Sequence, residues 1–519
     1  MKYETRVDLG KLESTKPELA SQFKDIADML DSSDRQTIAP DIAIQGVPSV
    51  PSNTVPNFTL DRRHELLQKF EETTNLIRKL PGFEGFLKPL SRDDLSLVAP
   101  KHPVVVINVD YRCDALILLH GKVHHLPLPD LRRVSVEAAL DIVRAIRETR
   151  LDPRMRVLWY HLLGWLWRTT VRPVLQYLGF TTKPTESNWP RIWWVPTGAL
   201  SQLPLHAAGI HRETSTESAL DRVISSYSPS VKAMVFSRQN NASPLSPQTG
   251  HTALLTSMGT TPGQNDLPCA ETEAKELNDL LQVTMHTTHL EYPFKEDTVK
   301  ELPGSDIFHF AGHGKADPID PSQSCLLLQD WHNDPLTVGD LIAMKLHETQ
   351  PWLAFLSACS TSESQDKKLL DESVHMVSAF QLAGFRNVLG TLWEVSDRHS
   401  LDLAKDVYIS LEGVIGEEEV VAHALHHAVR KLRDDLNNAA GNPSDEPALP
   451  LAQIGLVGGY SEEKMTKLRM AAESMRQLIV IEDEEDDDVD DERLGAKSIR
   501  RVLPKGDPLI WSAYIHVGL

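Results

Sequence analysis

Two apolar runs in this chain stop abruptly at small, reactive residues. Asp306-Ile-Phe-His-Phe310 runs into His309-Phe-Ala-Gly-His-Gly314, and Trp352-Leu-Ala-Phe-Leu356 runs into Leu356-Ser-Ala-Cys-Ser-Thr361. Runs this short and this continuously apolar predict strands buried on both faces, as in a parallel sheet between helical layers. At the C-terminal ends of such strands the chain turns and exposes side chains and backbone N–H groups, so reacting groups collect there. A histidine at one strand end and a cysteine at the next supply a base and a nucleophile for thiol chemistry.

The surrounding pattern fits that sheet. Further strands are expected at Thr252–Ser257 and Val388–Trp393, separated by helices at Cys269–Leu281, Asp371–Ala383 and Ser396–Leu411. A helix at Glu417–Leu432 leads into a polar insertion at about 438–505, and Trp511–Val517 reads as a returning edge strand. Upstream, β-like runs at Val104–Val109, Ala115–Leu119, Val123–Leu128 and Arg191–Pro196 flank a helix at Val157–Leu178, whose Trp159, Trp165 and Trp167 read as a core face. The Ser- and Pro-rich segment Ser237–His251 separates the two patterns. Before them lie helical spacing in residues 1–35, a proline-rich linker at Thr37–Pro56 and an amphipathic helix at Arg62–Leu80. The expected division is residues 1–99 as N-terminal helices and linker, 100–236 as a first α/β unit and 252–519 as a second. Strand–helix alternation of this kind implies a mostly parallel sheet covered on both faces.

At 519 residues the chain exceeds what one core comfortably fills. Its net charge of −20 is uneven: ten of the eleven residues in Glu482–Glu492 are acidic, a run that reads as a solvated loop. That balance speaks against nucleic-acid binding, which needs clustered Lys and Arg. The four cysteines, Cys113, Cys269, Cys325 and Cys359, match neither a zinc motif nor a disulfide framework. With no long charge-free apolar span and no signal-like N-terminus, the expectation is a protein off the membrane, in the reducing cytoplasm.

His313 stands between Gly312 and Gly314, where small residues let a peptide approach and leave the Gly314 N–H to face a substrate. Together with the Cys359 N–H this makes a two-donor oxyanion hole, each donor worth on the order of 3 kcal/mol. His309, flanked by Phe308 and Phe310, reads as a buried structural histidine. The His309–His313 spacing would need a helix to bind a metal, and glycines after a strand deny it, so no metal and no cofactor are expected. Cys113, Cys269 and Cys325 lack the strand-end setting of Cys359. No G-x-S-x-G, Walker loop or G-x-G-x-x-G is present.

These motifs, in order, resemble the CHAT domain proteins, caspase-like peptidases often attached to tetratricopeptide repeats and distantly similar to separase. The resemblance rests on Ile192-Trp-Trp-Val-Pro-Thr-Gly-Ala-Leu-Ser-Gln-Leu-Pro-Leu-His-Ala-Ala208, Leu267-Pro-Cys-Ala270 with Glu273, the His313 and Cys359 motifs, Leu336-Thr-Val-Gly-Asp-Leu341, Leu382–Trp393 and Trp511–Gly518. It covers roughly residues 100–519; the acid-rich insertion departs from it. It implies a caspase-like α/β fold of two units, a pseudo-protease half and a catalytic half, with His313 as base and Cys359 as nucleophile. It further implies that the N-terminal helices replace or remain from a repeat array. Trp393-Glu-Val-Ser-Asp397 looks like the separase segment whose Asp lines a pocket for a basic residue, so Asp397 is a candidate to pair with a substrate Arg or Lys. Its plain alternative is a helix N-cap role.

Two functions compete on this reading. One is an endopeptidase that cuts a protein after a basic residue and answers to a regulatory partner or a helical repeat region. The other is a non-catalytic caspase-fold module that binds partners in a signalling or immune-like assembly. A scaffold has no need of His313, Cys359 and their glycines together, which favours the first.

Overall fold

The computed structural model describes residues 12, 15–36, 55–81, 83–148, 153–185, 188–211, 215–240, 250–315, 317, 323–344, 346, 349–361, 376–393, 395, 397–417, 419–439 and 507–518. The acidic insertion, most of the Thr37–Pro56 linker and the start of the Asp371–Ala383 helix lie outside them. The chain divides into two compact units, Met1–Ser91 and Arg92–Leu519.

In the first unit, helices Pro17–Gln36 and Val55–Ile77 pack together. The second begins before Arg62, taking in the last residues of the expected linker. Leu12, Ala20, Phe23, Ile77, Phe83 and Phe86 form its core, with the Phe23 ring 5.0 Å from Phe70 and edge-on to Phe86 at 5.2 Å. Phe23 and Ile77 are buried at the spacing the sequence shows, whereas Met29 and Leu67 on the same helices are exposed.

The second unit is α/β and built on a single sheet. Its strands are β1 (Val104–Asn108), β2 (Asp114–Leu119), β3 (Lys122–Pro127), β4 (Arg191–Pro196), β5 (Ile224–Tyr227), β6 (Thr252–Ser257), β7 (His286–Glu291), β8 (Ile307–Lys315), β9 (Cys325–Leu326), β10 (Leu336–Thr337), β11 (Leu353–Thr361), β12 (Asn387–Thr391) and β13 (Tyr514–Gly518). Among the described residues these thirteen run in the order β7-β6-β8-β11-β12-β13-β5-β4-β1-β2-β3, with β9 and β10 continuing from the far end of β8. The β7/β6, β6/β8, β8/β11, β11/β12, β13/β5, β5/β4 and β4/β1 pairs are parallel, so the sheet is mostly parallel. Helix Pro268–Leu281 packs on β6, β7 and β8, helix Met376–Ala383 on β11 and β12, and helix Val420–Ala439 on β13 and β5. Among the described residues no helix is long and apolar enough to cross a membrane.

Two sequence expectations are corrected here. The helix expected at Val157–Leu178 is interrupted: Pro153–Leu166 passes into a π-helical stretch, Trp167–Val171, before Arg172–Leu178. Pro173 explains it, because a proline has no N–H for the carbonyl four residues back and its ring crowds that carbonyl. Trp159, Trp165 and Trp167 are all buried, as a core face requires. The other correction concerns β13. It is not an edge strand but an interior one, antiparallel to β12 and parallel to β5, so it lies between strands drawn from distant parts of the sequence. His516 on β13 donates from Nε2 to Asn387 Oδ1 (3.0 Å), while its Nδ1 lies 2.9 Å from the Ser226 hydroxyl, bridging β12 and β5. The Trp193 indole N–H donates to the Gly518 carbonyl at 2.7 Å, and Arg433 holds Asp221 by two bonds of 2.9 and 3.1 Å.

Candidate active site

The two motifs lie side by side. β8 and β11 pair in parallel without a break from Leu353↔Ile307 to Thr361↔Lys315, which sets Cys359 opposite His313. Positions paired in register lie on the same face of a sheet, so His309, Ala311 and His313 share a face with Phe355, Ser357 and Cys359. Both strands run further than the apolar runs suggest. The reason is that β8 changes partner at its end: β6 follows it to Ala311, then the short β9 takes over at Gly314 and Lys315. The side chain of Cys359 falls outside the described residues; its backbone belongs to β11.

Gly312 makes this close approach feasible. A Cβ there would lie 2.7 Å from the Phe310 ring and 3.1 Å from the Met258 Cβ, while the Met258 N–H donates to the Ala311 carbonyl at 2.8 Å. Gly314 sits inside the ladder, in register with Ser360 on one side and Leu326 on the other.

His313 is half-buried, and its Nε2 lies 2.7 Å from the Asn265 carbonyl oxygen. A carbonyl only accepts, so Nε2 carries the hydrogen and the neutral ring keeps its lone pair on Nδ1. Nδ1 is therefore the basic nitrogen. Asn265 belongs to a tightly tied loop: Leu267 N–H bonds the Gly259 carbonyl (2.7 Å), Gln264 N–H bonds Thr261 (3.0 Å), and the Trp331 indole N–H bonds Pro262 (3.0 Å). Gly263 has φ +73°, a left-handed conformation that favours glycine, and its open side faces the His332 ring. Trp331 stacks on His332 at 3.9 Å, with the Lys315 ammonium 5.2 Å from the Trp331 ring centre.

Beneath His313, His309 is fully buried, as its phenylalanine neighbours imply. Burial pushes the Cys113 and Cys325 thiols up, the reverse of what activates a thiol. Among the described residues no group of three or more His, Cys, Asp or Glu side chains is gathered as a metal ion would need. Asp397 is the first residue of helix Asp397–Leu411, which follows β12, the strand beside β11. Its side chain lies outside the described residues. Sequence reading missed the Asn265 carbonyl and Trp331. Every residue has a carbonyl, so no side-chain motif announces the first; the second lies in a turn between two very short strands.

The chain is similar in fold to the separase of Saccharomyces cerevisiae in its complex with securin. That match has 12% identity and a TM-score of 0.44, and covers 73% of this chain but only 33% of the separase chain. A weaker likeness, with 12% identity and a TM-score of 0.32, links it to the complex of the Porphyromonas gingivalis RgpB pro- and mature domains, covering 52% of this chain and 66% of that one. No curated protein matches the sequence. The sequence model of the CHAT domain matches residues 161–519, which take in the π-helical segment, both site strands and the interior strand β13. With that much of the α/β unit accounted for by one family, the chain belongs to the CHAT domain family.

Proposed function

We propose that this protein is a cysteine endopeptidase that uses His313 and Cys359 to cut a protein substrate. The observation that carries the reading is the register of β8 and β11, which sets Cys359 against His313, joined to a histidine tautomer held by the Asn265 carbonyl. In this reading Nδ1 of His313 takes the Cys359 proton and the thiolate attacks the scissile carbonyl. The motif assigns the backbone N–H groups of Gly314 and Cys359 to the oxygen that becomes negative, a role Gly314 takes only by leaving its place between β11 and β9, and the imidazolium returns its proton to the leaving amine. Asp397 receives a basic residue before the scissile bond; its place after β12 puts it beyond the strand next to Cys359. The β1–β5 half serves as the non-catalytic partner of the half that carries the dyad, and a regulatory protein or repeat region governs activity in a reducing cytoplasm.

The test is a panel of fluorogenic peptides ending in Arg, Lys, Asp or Leu, run on the protein and on Cys359→Ala and His313→Ala. Cleavage after Arg or Lys, absent from both variants and lost in Asp397→Ala, is the expected result. Cleavage after Asp keeps the peptidase and overturns the Asp397 pocket. Folded protein that cuts nothing, alone or with candidate partners, favours the caspase-fold interaction module.

A further inference from the structure

Below the paired motifs a carboxylate is buried where it touches both site strands. Glu273, on helix Pro268–Leu281, is 2% exposed. Its Oε2 accepts from the Ser357 hydroxyl at 3.1 Å, and its Oε1 lies 3.1 Å from His309 Nε2, in an orientation short of a proper hydrogen bond. His309 Nδ1 in turn lies 3.3 Å from the Tyr408 hydroxyl. At about 3.3 Å per residue, Ser357 sits roughly 7 Å along β11 from Cys359 and His309 roughly 13 Å along β8 from His313. The helix bearing Glu273 begins where the Asn265 loop ends: Leu267 N–H holds Gly259, and Ala270 N–H holds the Leu267 carbonyl.

Burying a carboxylate is costly unless its oxygens are satisfied, and an apolar residue of similar volume would usually serve packing as well. Here one oxygen accepts a hydrogen bond from β11, the other lies within ion-pair distance of a histidine on β8, and the helix they come from carries the loop that holds the base. We propose that Glu273 is a positioning residue for the dyad: through Ser357 it sets β11, through His309 it sets β8, and through its own helix it sets the Asn265 loop. This assignment rests on the peptidase reading. It makes the relative placement of His313 and Cys359 depend on a side chain that touches neither.

The test is alkylation of Cys359 by iodoacetamide across pH, read on the full chain by peptide mass mapping, in the natural protein, Glu273→Gln and Ser357→Ala. Glu273→Gln keeps size and replaces one carboxyl oxygen by an amide nitrogen; Ser357→Ala removes only the tie to β11. The expected result is a folded variant whose Cys359 reacts about tenfold more slowly at neutral pH, with its profile moved toward that of an ordinary thiol, because small misplacements of reacting groups carry penalties of this order. Peptide hydrolysis should lose kcat with KM held. A merely structural role predicts a lower melting temperature and an unmoved profile, and that result in either folded variant overturns the proposal. Should Glu273→Gln not fold, Ser357→Ala decides. If Cys359 of the natural protein already titrates as an ordinary thiol, the Glu273 assignment fails; the peptidase reading is decided separately by peptide hydrolysis lost in Cys359→Ala.

Discussion

Acid should destabilise the Arg92–Leu519 unit, and His206 contributes a calculable share. Its ring is buried, with Nδ1 2.8 Å from the Tyr227 hydroxyl of β5, and burial pushes its pKa down to about 3. Folded, it stays neutral over the whole physiological range; unfolded, it titrates near the ordinary value of about 6.5. A lowered histidine pKa means that its full contribution is present above about pH 6.5 and is lost as pH falls from there toward the folded value. The loss is about 1.4 kcal/mol per pH unit, or about 2 kcal/mol by pH 5. Burial also lowers His426 and His516 well below the usual range, so they act with the same sign. All ten tryptophans lie in the Arg92–Leu519 unit, so urea unfolding followed by tryptophan fluorescence reads that unit alone. His206→Asn keeps a polar atom near the Nδ1 position and cannot titrate. It should shrink the stability difference between pH 7 and pH 5 by about 2 kcal/mol relative to the natural protein. An unchanged pH dependence in a folded His206→Asn protein would refute the argument.

Gly312→Ala should force the Phe310 ring or Met258 aside, costing about 1–3 kcal/mol in urea unfolding and lowering peptide cleavage more than stability, since the displaced segment carries His313. Arg433→Ala strips the buried Asp221 carboxylate of its two-bond partner and leaves it Arg430 at 3.8 Å and the Ser218 hydroxyl, so the loss should be about 1–3 kcal/mol, read by the same unfolding assay.

The parts of the fold that sequence exposes best are those buried on both faces. β8 and β11 announce themselves as apolar runs, and His309 as a core histidine, because burial selects composition directly. β7 escapes notice: among the described residues His-Thr-Thr-His-Leu-Glu pairs only with β6, and its polar residues carry no strong alternation. β13 is legible as a strand but not as an interior one, since its neighbours β12 and β5 are chosen by returns from far along the chain. The candidate dyad is readable from motif and spacing. What holds it is not: the Asn265 carbonyl is common to every residue, and Glu273, Ser357 and His309 meet only through the packing of a helix on two strands. Asp397 carried a pocket role and a capping role in the sequence; as the first residue of its helix it stands one position past the cap.

The position of β13 has a consequence for how the protein comes to be folded. β5 and β12 are made long before the segment that will lie between them, so each waits with an unsatisfied edge that no local neighbour can fill. Pairings of such long range are slow to form, and open edges in the interval invite association with other chains. Completion of the sheet is thus a single late insertion, like a keystone set after both sides of an arch. A chaperone that shields those edges would raise the yield of folded protein more than one that assists the helices.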